Sequence, residues 1–229
     1  MAITAYPFDD QDTTENQFSL WARELQDSGV ADTFGGTGFR VSGGGGGMAV
    51  QVQPGFAFLR GHALSSTAVE TKTIEAASSA LRYDRVVLRI NPSTNLGSIE
   101  VLKGTAGSGV PQGLTQTAEG IFELSLAVVT VQANATTIDA AMVRDDRQYV
   151  GARTGVWSTA TRPSGFRTYK LGFNTTTQSW EFWNGSQWQN VVASTAENSS
   201  QWNGFTLTVS TTQPAGTPTA DRIWIQPIS

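Results

Sequence analysis

The sequence predicts an all-β protein in which an N-terminal helix precedes a β-sandwich or barrel-like domain and a smaller antiparallel β module. Short strand-like runs separated by turn residues recur over the first 150 residues, which is typical of sandwiches and barrels. Further along, the aromatic-rich segment 169–191 contains Asn184-Gly185, the dipeptide that best fits a two-residue type I′ hairpin turn. A chain of 229 residues with 39% hydrophobic content is large enough for one or two such domains.

One helix is predicted over residues 13–28, before the first strand. Asp12 is a suitable N-cap and Glu15, three residues later, completes a capping-box-like pair. Gly29 is a natural residue for the helix to end at. An apolar stripe at helical spacing, by which this helix is expected to dock, consists of Phe18, Trp21, Ala22 and Leu25.

The body of the protein is predicted from a series of strands and loops. The glycine-rich segment 35–47 is interpreted as a flexible loop joining two strands, because no Gly-Lys-Ser/Thr follows to make a phosphate-binding loop. Asp145 and Asp146 are interpreted as a salt-bridged strand end beside the domain boundary. The predicted strands are Met48–Gln53, Phe56–Leu59, Val69–Ile74, Asp84–Ile90, Ser98–Lys103, Ile121–Val131 and Thr137–Val143.

These elements divide the chain into four regions. An arm and helix occupy residues 1–30, the β body domain occupies 31–150, and a linker occupies 151–155. A tryptophan-rich C-terminal β module follows over 156–229.

Within that module, segment 169–191 predicts a meander with two distinct faces. A two-residue turn at Asn184-Gly185 would place Glu181 opposite Trp188. Because side chains alternate along a strand, one face is expected to be a core made of Leu171, Phe173, Trp180 and Phe182. The other face is expected to be an exposed surface made of Lys170, Glu181, Trp183 and Trp188.

Composition excludes several classes of function. Charged residues make up 15% of the chain, the net charge is −4, and no basic cluster is available to neutralise phosphates, so no nucleic-acid partner is expected. The absence of cysteine excludes disulfides and thiolate sites. Residues 1–12 are polar and acidic, unlike a signal peptide, and no apolar run is long enough for membrane insertion.

Catalysis is not expected, and no catalytic residue, metal site or cofactor is predicted. His62 is the only histidine, and no G-x-S-x-G nucleophile elbow accompanies it. Glycoside hydrolysis, which needs only two carboxylates, remains an alternative with candidates Asp9, Asp10, Asp84, Glu119, Glu123, Asp145, Asp146 and Glu181. The cluster Asp9, Asp10 and Asp12 is better explained by favourable charge near a helix N-terminus than by a cation site.

Glycan binding is the functional hypothesis for the C-terminal module. Sugar sites combine aromatic rings with amide and charged hydrogen-bonding groups, and the candidates are Lys170, Glu181, Trp183, Trp188 and Asn190. The alternative is that these tryptophans pack against a neighbouring subunit or against the strand holding Trp224, since aromatic residues are enriched at interfaces.

The order of several motifs adds a family resemblance. These motifs are DSGV, FRVSGGGGGMAVQVQPGFAFLRGHAL, LRYDRVVLRINPSTNLGSIEVLKG, IFELSLAVVTVQANATTI and VRDDRQYV. In this order they resemble the N-terminal domain of phage baseplate and tail-fibre proteins from viruses of Gram-positive hosts. The segment ending in EFWNGSQW is similar to short segments of phage tail fibres.

The resemblance implies a structural and adhesive virion component of a phage tail tip or baseplate. It implies a homotrimer that contacts other tail or baseplate proteins and attaches to the host, with cell-wall polysaccharide as the expected host ligand. On this reading the helix would attach the chain to the tail through Phe18, Trp21 and Leu25. The alternatives are an adaptor that carries another receptor-binding fibre, and an isolated carbohydrate-binding module.

Overall fold

The computed structural model confirms the all-β fold class with one helix near the N-terminus. It describes residues 5–6, 12–150, 154–164 and 168–191, together with the backbone of three strands at 201–202, 205–209 and 222–225. The chain forms two compact units, Met1–Ala152 and Arg153–Ser229, and their boundary falls inside the predicted linker. Within the described part of the chain, no helix has the length and apolar character needed to cross a membrane.

Helix α1 spans Glu15–Arg23 and is shorter than predicted. The capping box is made by Thr14 and Gln17: the Gln17 amide N–H donates to Thr14 Oγ1 over 3.2 Å, and the Thr14 N–H donates to Gln17 Oε1 over 2.9 Å. The predicted cap at Asp12 with Glu15 is therefore wrong, because a second capping box begins two residues later. Gly29 does not terminate the helix but begins the first strand.

The described part of the first unit contains ten strands in three sheets, and all strand neighbours within those sheets are antiparallel. The strands are β1 Gly29–Val30, β2 Val41–Ser42, β3 Ala49–Val52, β4 Gly55–Leu59, β5 His62–Ser66, β6 Glu70–Thr73, β7 Arg82–Asn91, β8 Leu96–Leu102, β9 Phe122–Val131 and β10 Val143–Asp145. The strand orders in the three sheets are β1-β4-β5, β2-β3-β6 and β10-β9-β7-β8.

The apolar patterns place the core of this unit as the sequence predicts. Val50 and Val52 are buried while Gln51 between them is exposed, so β3 has one core face and one solvent face. Strands β7 and β9 are buried over most of their length, which accounts for their nearly continuous apolar runs. β4 and β5 are joined by a tight turn at Arg60 and Gly61, which both have positive φ, as a type I′ turn requires.

The predicted strand Thr137–Val143 is wrong. Residues Ala140–Met142 form a 3-10 helix instead, and strand pairing begins only at Val143. Two backbone hydrogen bonds join Ile138 to the glycine-rich loop between β2 and β3. The Gly44 N–H donates to Ile138 O over 2.7 Å, and the Ile138 N–H donates to Gly47 O over 3.0 Å. Ile138 is thereby anchored in the core without joining a sheet.

Buried arginines hold the loops of the first unit. The Arg147 side chain pairs with Asp145 and donates from Nη1 to Gly36 O and Gly38 O over 2.9 and 2.6 Å. Arg82 pairs with Asp84 over 2.7 Å, and both side chains are buried. The carboxylates of Asp84 and Asp145 therefore have a structural role. For Asp145 this agrees with the predicted salt-bridged strand end.

The second unit contains two described sheets, in the orders β11-β12-β13-β14 and β15-β16-β17. Each sheet includes one parallel pair, β11 with β12 and β16 with β17, whereas the sequence predicts an antiparallel module. Parallel strands need a long crossover, and residues 158–170 supply it between β11 and β12. The strands are β11 Gly155–Trp157, β12 Leu171–Asn174, β13 Ser179–Trp183, β14 Trp188–Asn190, β15 Gln201–Trp202, β16 Phe205–Val209 and β17 Arg222–Ile225.

Candidate functional site

The hairpin between β13 and β14 has a four-residue loop, so the predicted two-residue turn is wrong. Trp183 lies opposite Trp188, and Glu181 lies opposite Asn190. The loop is stabilised by the Asn184 side chain, whose Oδ1 accepts from the Ser186 and Gln187 amides over 2.9 and 2.8 Å. An Asx turn of this kind competes with the type I′ geometry. Because the pairing moves by two residues, each side chain stays on its predicted face.

The sequence predicts the wrong face of the meander as the core. The burial of Glu181 shows this most clearly. Only 1% of Glu181 is exposed, and Gly172 and Asn174 on the same face are also buried. The cause is strand β11, which brings the Trp157 ring over Gly172, where the missing side chain leaves room for it. Sequence reasoning missed Trp157, although a glycine inside a strand is a signal of close approach.

Glu181 is the centre of a buried hydrogen-bond network. Arg162 donates from Nε and Nη2 to its two carboxylate oxygens over 2.9 and 2.7 Å. Trp157 Nε1 donates over 2.6 Å, and the Asn174 amide donates over 3.1 and 3.2 Å. The Arg162 guanidinium, followed by Trp157 and Asn174, lowers the pKa of Glu181 to about 2 against the opposing effect of burial. A general acid needs a raised pKa, so Glu181 is a structural anion.

Above this network the tryptophans form a cluster. The Trp188 ring lies between Trp157 and Trp183, with centroid distances of 5.0 and 5.8 Å. The Arg162 guanidinium lies 5.8 Å from the centroid of Trp188, a cation–π contact. Trp183 and Trp188 remain partly accessible.

The structure brings the predicted glycan-binding residues onto one face of this sheet. Lys170 O accepts from the Trp183 amide over 3.0 Å, which places Lys170 beside the tryptophans. Asn190 is exposed, and its Oδ1 accepts from Ser179 Oγ over 3.1 Å. Glu181 alone lies beneath the surface, so the prediction that it is a surface residue is wrong. The remaining four form what we call the tryptophan face: Lys170, Trp183, Trp188 and Asn190.

The opposite face, predicted as core, is the more exposed one. Trp180 is 48% exposed although its ring contacts Phe173 edge to face at 5.8 Å. Val156 on β11 is 72% exposed, and Val191 after β14 is 52% exposed. We call this the apolar sheet face and define it by Val156, Leu171, Phe173, Trp180, Phe182 and Val191.

The predicted tail-attachment residues are exposed on the first unit. The Phe18 and Trp21 rings contact each other at 6.1 Å, and with Tyr6 and Thr13 they line a cavity of about 180 Å³. Leu25 follows the end of α1 and is also exposed. The helix contacts the body through its other side, where the Ser19 hydroxyl donates to Arg60 O over 2.6 Å.

Glu123, Asp146 and His62, three further candidates for chemistry, each have a partner, whereas Glu119 is exposed. Glu123 is buried against Arg89, and Asp146 accepts from the Ser125 hydroxyl over 2.7 Å. His62 Nδ1 lies 3.9 Å from Glu15 Oε1. In the described ranges no group of three or more His, Asp or Glu could hold a metal ion, while Asp9 and Asp10 lie outside the described residues.

Comparison of the chain with protein-family models, curated protein sequences and solved structures finds no match.

Proposed function

We propose that this chain is a structural and adhesive component of a phage tail tip or baseplate, which contacts a host cell-surface glycan through its C-terminal unit. The observation that carries the proposal is the tryptophan face, where two partly accessible indole rings lie beside a lysine and an exposed amide.

The chemistry of the tryptophan face suits a sugar. Indole rings offer a flat apolar surface to the C–H groups of a pyranose and need few rotamers frozen on binding. Lys170 and Asn190 supply groups that can hydrogen-bond hydroxyls or an acidic substituent. The ion pair between Arg162 and the buried Glu181 supports the rings from below, because the Arg162 guanidinium binds Glu181 and also lies over the Trp188 ring. We expect this support to reduce the conformational entropy that the rings lose when a ligand binds.

Multiplicity is part of the proposal. The tryptophan face is a surface rather than a deep cleft, so one copy would bind a sugar weakly. In a homotrimer the contact is repeated, and linked sites gain avidity through their effective concentration. The exposed Phe18 and Trp21 on helix α1 support attachment of the same chain to other tail or baseplate proteins.

Binding to Gram-positive cell-wall polysaccharide tests the proposal, with a glycan array to define the ligand. We expect Asn190→Ala and Lys170→Gln to weaken binding about tenfold each, the loss of roughly one hydrogen bond to a charged or polar group. Gln132→Ala is the control, because Gln132 is an exposed amide side chain of the first unit and belongs to neither face of the C-terminal sheet. Equal binding by all three variants and the wild-type chain would contradict the proposal.

The adaptor alternative has its own outcome in the same experiment. If the wild-type chain binds no polysaccharide but retains a purified tail protein through Phe18 and Trp21, the chain is an adaptor that carries another fibre. A protein that is monomeric at all concentrations and binds glycan would instead be an isolated carbohydrate-binding module.

A further inference from the structure

We infer that the apolar sheet face of the C-terminal unit is the surface through which copies of this chain contact one another. This inference rests on the proposed function, because it assumes the homotrimer proposed there. It adds the residues through which the copies contact one another.

Strand register makes this face continuous across the whole sheet. Val156 pairs with Phe173, and Phe173 pairs with Trp180. The Val191 amide donates to Trp180 O over 2.7 Å, which adds the fourth strand to the same row. Leu171 pairs with Phe182 to form a second apolar row beside the first. Side chains from β11 to the end of β14 therefore present one apolar stripe.

The size of this stripe fits the centre of a protein interface. From the exposed fractions of its aromatic and aliphatic members, its accessible apolar area is roughly 300–400 Å². A stable interface takes about 800 Å² from each partner and surrounds an apolar centre with a polar rim. Gln189, which pairs with Phe182 and is exposed, lies where such a rim would begin.

Charge selects a second copy as the occupant. Among the residues of the second unit whose side chains the structure describes, no charged side chain lies on the apolar sheet face, because Arg162, Glu181 and Lys170 are all on the other side of the sheet. A charged partner would bury its charges against this face without compensation. A sugar would find few polar groups there to satisfy its hydroxyls. Another copy brings the same uncharged surface, so that the apolar side chains of each copy meet apolar side chains of the next.

Cysteine crosslinking tests the contact directly, because the chain has no cysteine of its own. Val156→Cys places a single thiol on the face, and Val110→Cys is the matched control on the first unit, with Val110 62% exposed. A short bismaleimide is expected to crosslink Val156→Cys chains into dimers and to leave Val110→Cys chains largely uncrosslinked. Equal crosslinking of the two variants would overturn the inference.

Light scattering on the full chain gives a second, independent measurement. Trp180→Gln is expected to raise the concentration at which the assembly dissociates at least tenfold, while Trp21→Gln leaves it unchanged, although both tryptophans are about half exposed. Val191→Lys places a charge on the apolar sheet face and leaves its aromatic rings in place. It is expected to raise the dissociation concentration as Trp180→Gln does, and it replaces Trp180→Gln as the test if that variant does not fold. Circular dichroism establishes that each variant is folded.

Three further results would overturn the inference: a wild-type chain that is monomeric at every concentration, an unchanged mass for folded Trp180→Gln and Val191→Lys, or Trp180→Gln that keeps its mass and loses polysaccharide binding. The last result would make the apolar sheet face a sugar site. Mass is measured without any glycan, so a failure here is distinguishable from a failure of the proposed attachment function.

Discussion

Glu181 shows how one buried carboxylate can organise a small β unit. Its two oxygens accept hydrogen bonds from three side chains on three different segments, namely Arg162, Trp157 and Asn174. Removing one partner of a buried ion pair leaves the other without compensation. Glu181 therefore links Trp157 to the Arg162 guanidinium, which in turn contacts the Trp188 ring.

Acid should weaken the C-terminal unit through Glu181. The folded-state pKa is lowered to about 2, whereas an unfolded glutamate titrates near about 4.3. The stabilisation is therefore complete above about pH 5 and is lost as the pH falls towards 2, with a magnitude on the order of 3 kcal/mol. Tryptophan fluorescence during unfolding at a series of pH values measures it. We expect Glu181→Gln to be less stable at neutral pH and to lose most of this acid dependence; an unchanged dependence would show that other groups cause it.

Gly172 is the second residue on which the unit depends. A Cβ at this position would overlap the Trp157 ring, so Gly172→Ala should destabilise the unit by about 1–3 kcal/mol through overpacking. Gly113→Ala is the control, because no atom lies within 4 Å of a Cβ built there and its φ is not positive; its effect should stay within about 0.5 kcal/mol. Urea unfolding measures both, and similar midpoints for the two variants would contradict the steric argument.

Helix α1 illustrates how an element can be attached through its polar side. Ser19 is its one buried residue, and the Ser19 hydroxyl binds the carbonyl of Arg60 in the tight turn between β4 and β5. The aromatic residues Phe18 and Trp21 point away from that contact and stay exposed. The element can therefore bind a partner without giving up its attachment to the body.

Ser19→Ala should loosen this helix without unfolding the first unit. Loss of one hydrogen bond costs about 1 kcal/mol, which should speed amide exchange in Glu15–Arg23 several-fold. Ser108→Ala is the control, since its hydroxyl bonds within its own loop to Val110 O. Hydrogen exchange read by mass spectrometry distinguishes the two, and unchanged exchange of α1 in Ser19→Ala would mean that other contacts hold the helix.

Some secondary-structure elements could be predicted from the sequence and others could not. The strands β3, β7 and β9 follow their apolar patterns, because burial of one or both faces dominates their energetics. The start of α1 and the loop between β13 and β14 were predicted wrongly because two local solutions compete there, a second capping box and an Asx turn. Local sequence does not rank such alternatives when they differ by about 1 kcal/mol.

For the whole molecule, the division into two compact units predicts separable unfolding. Each unit has its own ion pair on a buried carboxylate, Arg82 with Asp84 in the first and Arg162 with Glu181 in the second. Six of the seven tryptophans belong to Arg153–Ser229, so fluorescence reports mainly on the second unit.

Asp84→Asn should therefore lower the thermal midpoint seen by far-ultraviolet circular dichroism, because it leaves Arg82 buried without its anion. The midpoint seen by tryptophan fluorescence should stay where it is in the wild-type chain. Glu181→Gln is the reciprocal control: it should lower the midpoint seen by tryptophan fluorescence and leave the midpoint seen by circular dichroism nearly unchanged. Equal shifts of both midpoints in either variant would mean that the two units unfold as one.

By itself the sequence determined the all-β class, the core strands of the body and the two sets of side chains on the meander, because each follows from the period of a strand. Only the tertiary structure decided which set is buried. That choice depends on Trp157 and Arg162, which precede the meander in the chain and reach it through a parallel strand and a crossover. Periodicity separates two faces of a sheet, but the element that packs on one of them decides which is the core.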